Sequence, residues 1–129
     1  MLSYAMQNAG YMNLFMVGCS VIPLGMEFSS ADCVQFIQQL KPSCILALPS
    51  AVVTLADYVF ELKQKNCNSI WEIDKCITGG EMMLPAMKDR IASALGVSCF
   101  LSTGYTSNET GAIGFPCRSA YYWNRVILP

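Results

Sequence analysis

The stretch CFLSTGYTSNETGAIGF, residues 99–115, gathers the side chains best suited to chemistry. Glu109 is the only charged residue between Arg90 and Arg118. Around it Thr103, Thr106, Ser107 and Thr110 offer hydroxyls, Asn108 offers an amide and Tyr105 a flat aromatic face. Gly104 and Gly111 suit sharp turns or a close approach of backbone to a ligand. A lone carboxylate in this setting is a hard oxygen ligand of the kind magnesium takes, with waters and phosphate oxygens completing the shell. The same residues also fit a polar surface loop carrying a solvated glutamate, and composition leaves both readings open.

A second segment, TGGE at 78–81, carries less information on its own. A double glycine after an apolar run is a turn signal, and Glu81 favours the start of a following helix. The chain has neither a G-x-G-x-x-G nor a G-x-x-x-x-G-K-[ST] phosphate loop. It has no histidine, which excludes Ser-His-Asp and Cys-His catalysis within these residues. Its seven cysteines are odd in number and form no C-x-x-C pair, so reduced thiols in a cytoplasmic setting are expected rather than a disulfide framework or zinc finger. A net charge of -1 gives no basic footprint for nucleic acid.

The elements that would position these residues alternate along the chain. Apolar runs at 19–24, 43–48, 74–80 and 97–102 read as strands. Residues 29–41 read as a helix, with Ser29 as its cap, Asp32 in its first turn, Val34, Ile37 and Leu40 on one face, and Pro42 as its stop. Residues 49–66 read as a second helix. Residues 84–96 read as a third, with Leu84, Met87, Ile91 and Leu95 as the apolar stripe, Lys88, Asp89 and Arg90 facing out, and Gly96 at the end. Strand alternating with helix predicts an α/β domain: a mostly parallel sheet built from right-handed βαβ units, with helices on both faces. The length of 129 residues suits one domain. A charged fraction of 13% against a hydrophobic fraction of 53% points to a piece of a larger domain whose neighbours cover the apolar surface.

The uncharged run 1–26 is long enough to span a bilayer, but Gln7, Asn8 and Asn13 lie within it and no Lys or Arg precedes it. A buried helix followed by a strand is the preferred reading, with no membrane partner. The tail RVILP at 125–129 reads as an edge strand.

Ligands of open parallel sheets bind beyond the C-terminal ends of the strands. That rule selects residues 48–50, 78–81 and 102–111, which should open on one edge.

Taken together, these segments resemble the middle of the large domain of AMP-forming adenylating enzymes, closest to phenylacetate–CoA ligase-like proteins. YTSNETG at 105–111 is similar to the family's Y-G-x-T-E-x-G at Tyr105, Glu109 and Gly111. ITGGEMMLPAMKDRIASALGV at 77–97 resembles its adenine loop and following helix, KPSCILALPSAVVTLAD at 41–57 an upstream strand and helix, and VGCSVIPLG at 17–25 the strand before that. Thr106 stands where the family has glycine, and Asn108 where it has threonine.

The resemblance implies carboxylate activation. ATP and a small carboxylic acid give an acyl-adenylate and pyrophosphate, and coenzyme A then takes the acyl group. By position, Gly79, Gly80 and Glu81 would border the adenine of ATP or AMP, and Tyr105 would lie against its ring. Thr106, Ser107 and Asn108 would belong to the nucleotide site, with Asn108 in contact with phosphate, and Glu109 would hold magnesium. The family's phosphate loop and C-terminal lysine-bearing domain have no counterpart in these residues, so the 129 residues alone are expected to be catalytically silent. A non-catalytic nucleotide-binding or interaction module of the same fold is the second reading. Some relatives bind a metal through cysteine after this region, but Cys117 is expected to remain a free or buried thiol.

Overall fold

A computed structural model describes residues 18–24, 28–65, 72–107, 109 and 111–114. The expected initial helix, the tail at 125–129, Asn108, Cys67 and Cys117 lie outside these residues. The elements run α1 (Ser30–Leu40), β1 (Cys44–Ala47), α2 (Pro49–Gln64), β2 (Lys75–Thr78), α3 (Pro85–Leu95), β3 (Cys99–Ser102), β4 (Tyr105–Ser107) and β5 (Gly111–Gly114).

The strands β1, β2 and β3 form a parallel sheet in that spatial order, joined by α2 and α3 as crossovers. This is the α/β architecture of βαβ units expected from the alternation of elements, except that the three described helices share one core on one face of the sheet, where helices on both faces were expected. The register aligns Ile45, Cys76 and Phe100 in one row, and Ala47, Thr78 and Ser102 in the next on the same face. That face meets the helices. Val34 and Ile37 of α1, Val52, Leu55, Ala56 and Val59 of α2, and Ile91, Ala94 and Leu95 of α3 join Cys76 and Phe100 in one core. The opposite face carries Leu46, Ile77 and Leu101, all half-buried.

Each helix has a local cause. In α1 the Ser29 hydroxyl accepts from the Asp32 amide at 3.2 Å, while the Asp32 carboxylate accepts from the Ser29 amide at 3.1 Å. This reciprocal capping box satisfies two donors that the first turn leaves open. The helix ends at Lys41, which adopts a left-handed φ of 48° ahead of Pro42. Leu40, in the last turn, is exposed rather than on the buried stripe. Helix α2 buries positions 52, 55, 56 and 59, the spacing of a single helical face. Helix α3 starts with Pro85, whose missing N–H costs nothing at a first helical position. Leu84 is its exposed cap, so the buried stripe begins later, at Ile91 and Leu95.

One expected strand is absent. Residues 19–24 pair with nothing in the sheet. Gly18 takes φ +79°, Pro23 has no N–H to offer a ladder, and Cys19, Ile22 and Pro23 are exposed. An apolar run is not by itself a strand when its backbone cannot pair.

The polar stretch after β3 is more ordered than a loop. It forms an antiparallel hairpin in which Tyr105 pairs with Gly114, Thr106 with Ala112 and Ser107 with Gly111, with a register shift between Tyr105 and Thr106.

Candidate functional site

Because β1, β2 and β3 are parallel, their C-terminal ends lie on one edge, and the turns that follow them meet there. Direct contacts tie the three turns together. Ser50, in the first turn of α2, donates its backbone N–H to Glu81 Oε2 at 3.0 Å and its hydroxyl to Glu81 Oε1 at 2.9 Å. Both carboxylate oxygens are thereby engaged by one residue 31 positions away.

The local sequence explains this pairing. The residue before α2 is Leu48, which has no side chain able to cap, and Pro49 occupies the first helical position. The helix start therefore leaves amide donors open, and an acidic group from a neighbouring turn satisfies one of them. The expected role of Glu81 at the start of its own following helix is replaced by this cap on α2. The Ser50 amide first, and then the Ser50 hydroxyl, hold the Glu81 carboxyl below its ordinary value of 4.5.

The second and third turns are joined just as closely. The Thr103 amide donates to the Thr78 carbonyl at 2.9 Å, which carries the β2–β3 ladder one step past the strand ends. Gly79 is buried, and a Cβ there would overlap Thr103 Oγ1 and lie 3.1 Å from Thr103 Cβ. Only glycine permits that approach of the two turns. Gly80 follows at φ +80° and is exposed.

Beside these turns a recess of about 80 Å³ lies under the strand ends, lined by Thr78, Glu81, Met83, Lys88, Phe100, Leu101 and Ser102. Thr78 is the one buried polar side chain among the described residues. Lys88, expected to face out, is half-buried, and its ammonium lies 6.0 Å from the centre of the Phe100 ring. Its long apolar stem lets it cover Phe100 while its charge reaches the recess rim.

The remaining site residues follow from the third turn. Tyr105, Thr106 and Ser107 form β4, and Glu109 lies exposed in the turn between β4 and β5. Gly79, Gly80 and Glu81 are thus brought against Ser50 and Thr103, while Glu109 is carried on the hairpin that continues from that edge. Among the described residues, no three Cys, Asp or Glu side chains gather into a protein-only metal centre. Glu109 is exposed, which fits a solvated surface glutamate as well as a carboxylate open to a ligand. Thr103, expected as one of the hydroxyls of the third turn, belongs to this region; so do Ser50, to which only the general edge rule pointed, and Lys88, to which nothing did.

Elsewhere, Arg90 and Asp57 make an exposed ion pair at 2.6 Å between α3 and α2. Burial pushes the Cys76 thiol up to about 12 and also raises Cys33 and Cys44. No helix among the described residues is long and apolar enough to cross a membrane. No protein-family model matches the chain, and no curated protein matches it.

Proposed function

We propose that this chain supplies nucleotide-binding turns of an ATP-dependent carboxylate–CoA ligase. Such an enzyme first forms an acyl-adenylate and pyrophosphate, and then a thioester with coenzyme A. The supporting observation is the interlocking of the three strand-end turns through Ser50–Glu81 and Gly79–Thr103. It supports a common edge for the segments at 77–97 and 105–111 that carry the sequence resemblance.

In this reading Gly79 and Gly80 present backbone to the adenine, and Tyr105 offers its ring. Thr106, Ser107 and Asn108 belong to the nucleotide site, with Asn108 in contact with phosphate. Glu109 holds magnesium, which when bound offsets the repulsion between the attacking carboxylate and the phosphates. Reduced cysteines fit a cytoplasmic protein; those at 19, 33, 44, 76 and 99 are free thiols.

The test is equilibrium binding of ATP and AMP to the full chain. Saturable binding, with each nucleotide displacing the other and GTP displacing neither, is the expected result. No saturable binding of either adenine nucleotide would overturn the reading.

A further inference from the structure

The Glu81 carboxylate is usually the first group one would offer to a ligand at this edge, since it is exposed and follows the double glycine. Its oxygens are already committed. Each accepts one hydrogen bond from Ser50, one from the main chain and one from the hydroxyl. The two donors sit on α2, a 16-residue helix whose Pro49, Val52, Leu55, Ala56 and Val59 are all buried. Ser50 is therefore fixed by a rigid element, while residues 79–84 between β2 and α3 have no strand or helix of their own.

On the other side, Gly79 packs against Thr103 with no space for a side chain. The β2–α3 turn is held from two directions, by contact at Gly79 and by charge-assisted hydrogen bonds at Glu81. Between those anchors stands Gly80, with φ +80° and an exposed backbone.

We propose that Ser50 and Glu81 form a clasp that fixes the β2–α3 turn against α2 and so sets the direction in which the Gly79 and Gly80 backbone faces a ligand. Both are positioning residues; Ser50 acts on the site wholly through Glu81. The consequence for ligand binding rests on the nucleotide reading above, but the clasp itself does not. A carboxylate at position 81 cannot be replaced by an amide without loss. The amide NH2 could still donate to the Ser50 hydroxyl oxygen, but the pair would lose the negative charge that strengthens both of its hydrogen bonds. Threonine at position 50 keeps both donors, whereas alanine keeps only the main-chain one.

The experiment compares the full chain with Ser50→Ala, Ser50→Thr and Glu81→Gln, reading amide hydrogen exchange at residues 79–82 together with MgATP affinity and the melting temperature. Exchange at 79–82 should quicken roughly fivefold in Ser50→Ala and Glu81→Gln and stay near wild type in Ser50→Thr. MgATP affinity should fall by a similar factor in the first two variants, while the melting temperature moves little. Unchanged exchange at 79–82 in both Ser50→Ala and Glu81→Gln overturns the clasp. Quickened exchange in a chain that binds no MgATP supports the clasp and overturns the nucleotide reading alone. Quickened exchange with undiminished MgATP affinity overturns the claim that the clasp sets the ligand-facing backbone.

Discussion

Gly79 and Thr103 touch across the ends of β2 and β3 with no room for a Cβ at position 79. The contact is fixed by the ladder beneath it, because the Thr103 amide is bonded to the Thr78 carbonyl at 2.9 Å. The Thr103 hydroxyl can turn away by a rotamer change, but its Cβ, 3.1 Å from where a Cβ at position 79 would lie, moves only with the backbone.

Gly79→Ala is therefore expected to destabilise the chain by about 1–3 kcal/mol, the usual range for overpacking. Thr103→Ala removes the hydroxyl that the new methyl group would overlap. The double variant should recover part of the loss, and denaturant unfolding of all four chains gives the coupling. Strict additivity of the two substitutions would show that the contact is not as close as described.

Gly96 ends α3 at φ +77°, and a Cβ there would lie 2.9 Å from Glu72 Cβ. Backbone strain and a clash with an inflexible atom act together. Gly96→Ala should cost about 1–2 kcal/mol, while Ser93→Ala on the exposed side of the same helix should stay within about 0.5 kcal/mol. Equal, small effects at both positions would contradict the left-handed end.

Cys76 is fully buried, and its thiol is raised to about 12 from an ordinary 9.0. The folded chain thus keeps this proton where the unfolded chain loses it. Its contribution is complete below pH 9 and is lost as pH rises from 9 toward 12, at no more than about 1.4 kcal/mol per pH unit. Urea unfolding at several alkaline pH values should show falling stability, with a shallower fall in Cys76→Ala. An identical pH dependence in the variant would contradict the buried thiol.

Glu81 has the opposite sign. Its folded value lies below the ordinary 4.5, so its contribution is present above that pH and disappears as pH falls through the lowered value. The carboxyl is exposed, so salt will weaken the effect. NMR titration should place the Glu81 midpoint below 4.5 in the native chain and return it toward that value in Ser50→Ala. A midpoint indifferent to Ser50→Ala would contradict the assigned cause.

The parts of this fold that are legible in the sequence are those with local causes. Ser29 with Asp32, the 52-55-56-59 spacing and Gly96 each announce a helix or its end within a few residues. Three of the four apolar runs became strands with βαβ connections. The run at 19–24 did not, because apolar content says nothing about whether Gly18 and Pro23 leave a backbone fit to pair. The hairpin at 105–114 was hidden for a related reason. Its pairing rests on main-chain bonds, and its hydroxyl-bearing residues and glycines are those typical of a loop. The link from Ser50 to Glu81 spans 31 positions, and only the uncapped Leu48–Pro49 start of α2 hints that a distant acid is needed. Lys88 looked like a surface charge because its helical face is polar, and only the tertiary fold brings Phe100 beneath it.

The central claim is that this edge binds an adenine nucleotide with magnesium held at Glu109. Titrating ATP into the full chain and into Glu109→Ala, each with and without magnesium, tests it most directly. Magnesium should tighten ATP binding to the wild type by about tenfold or more, a gain near 1.4 kcal/mol, and should do little for the variant. An equal magnesium effect in both chains, or ATP affinity absent from the wild type, would contradict the account.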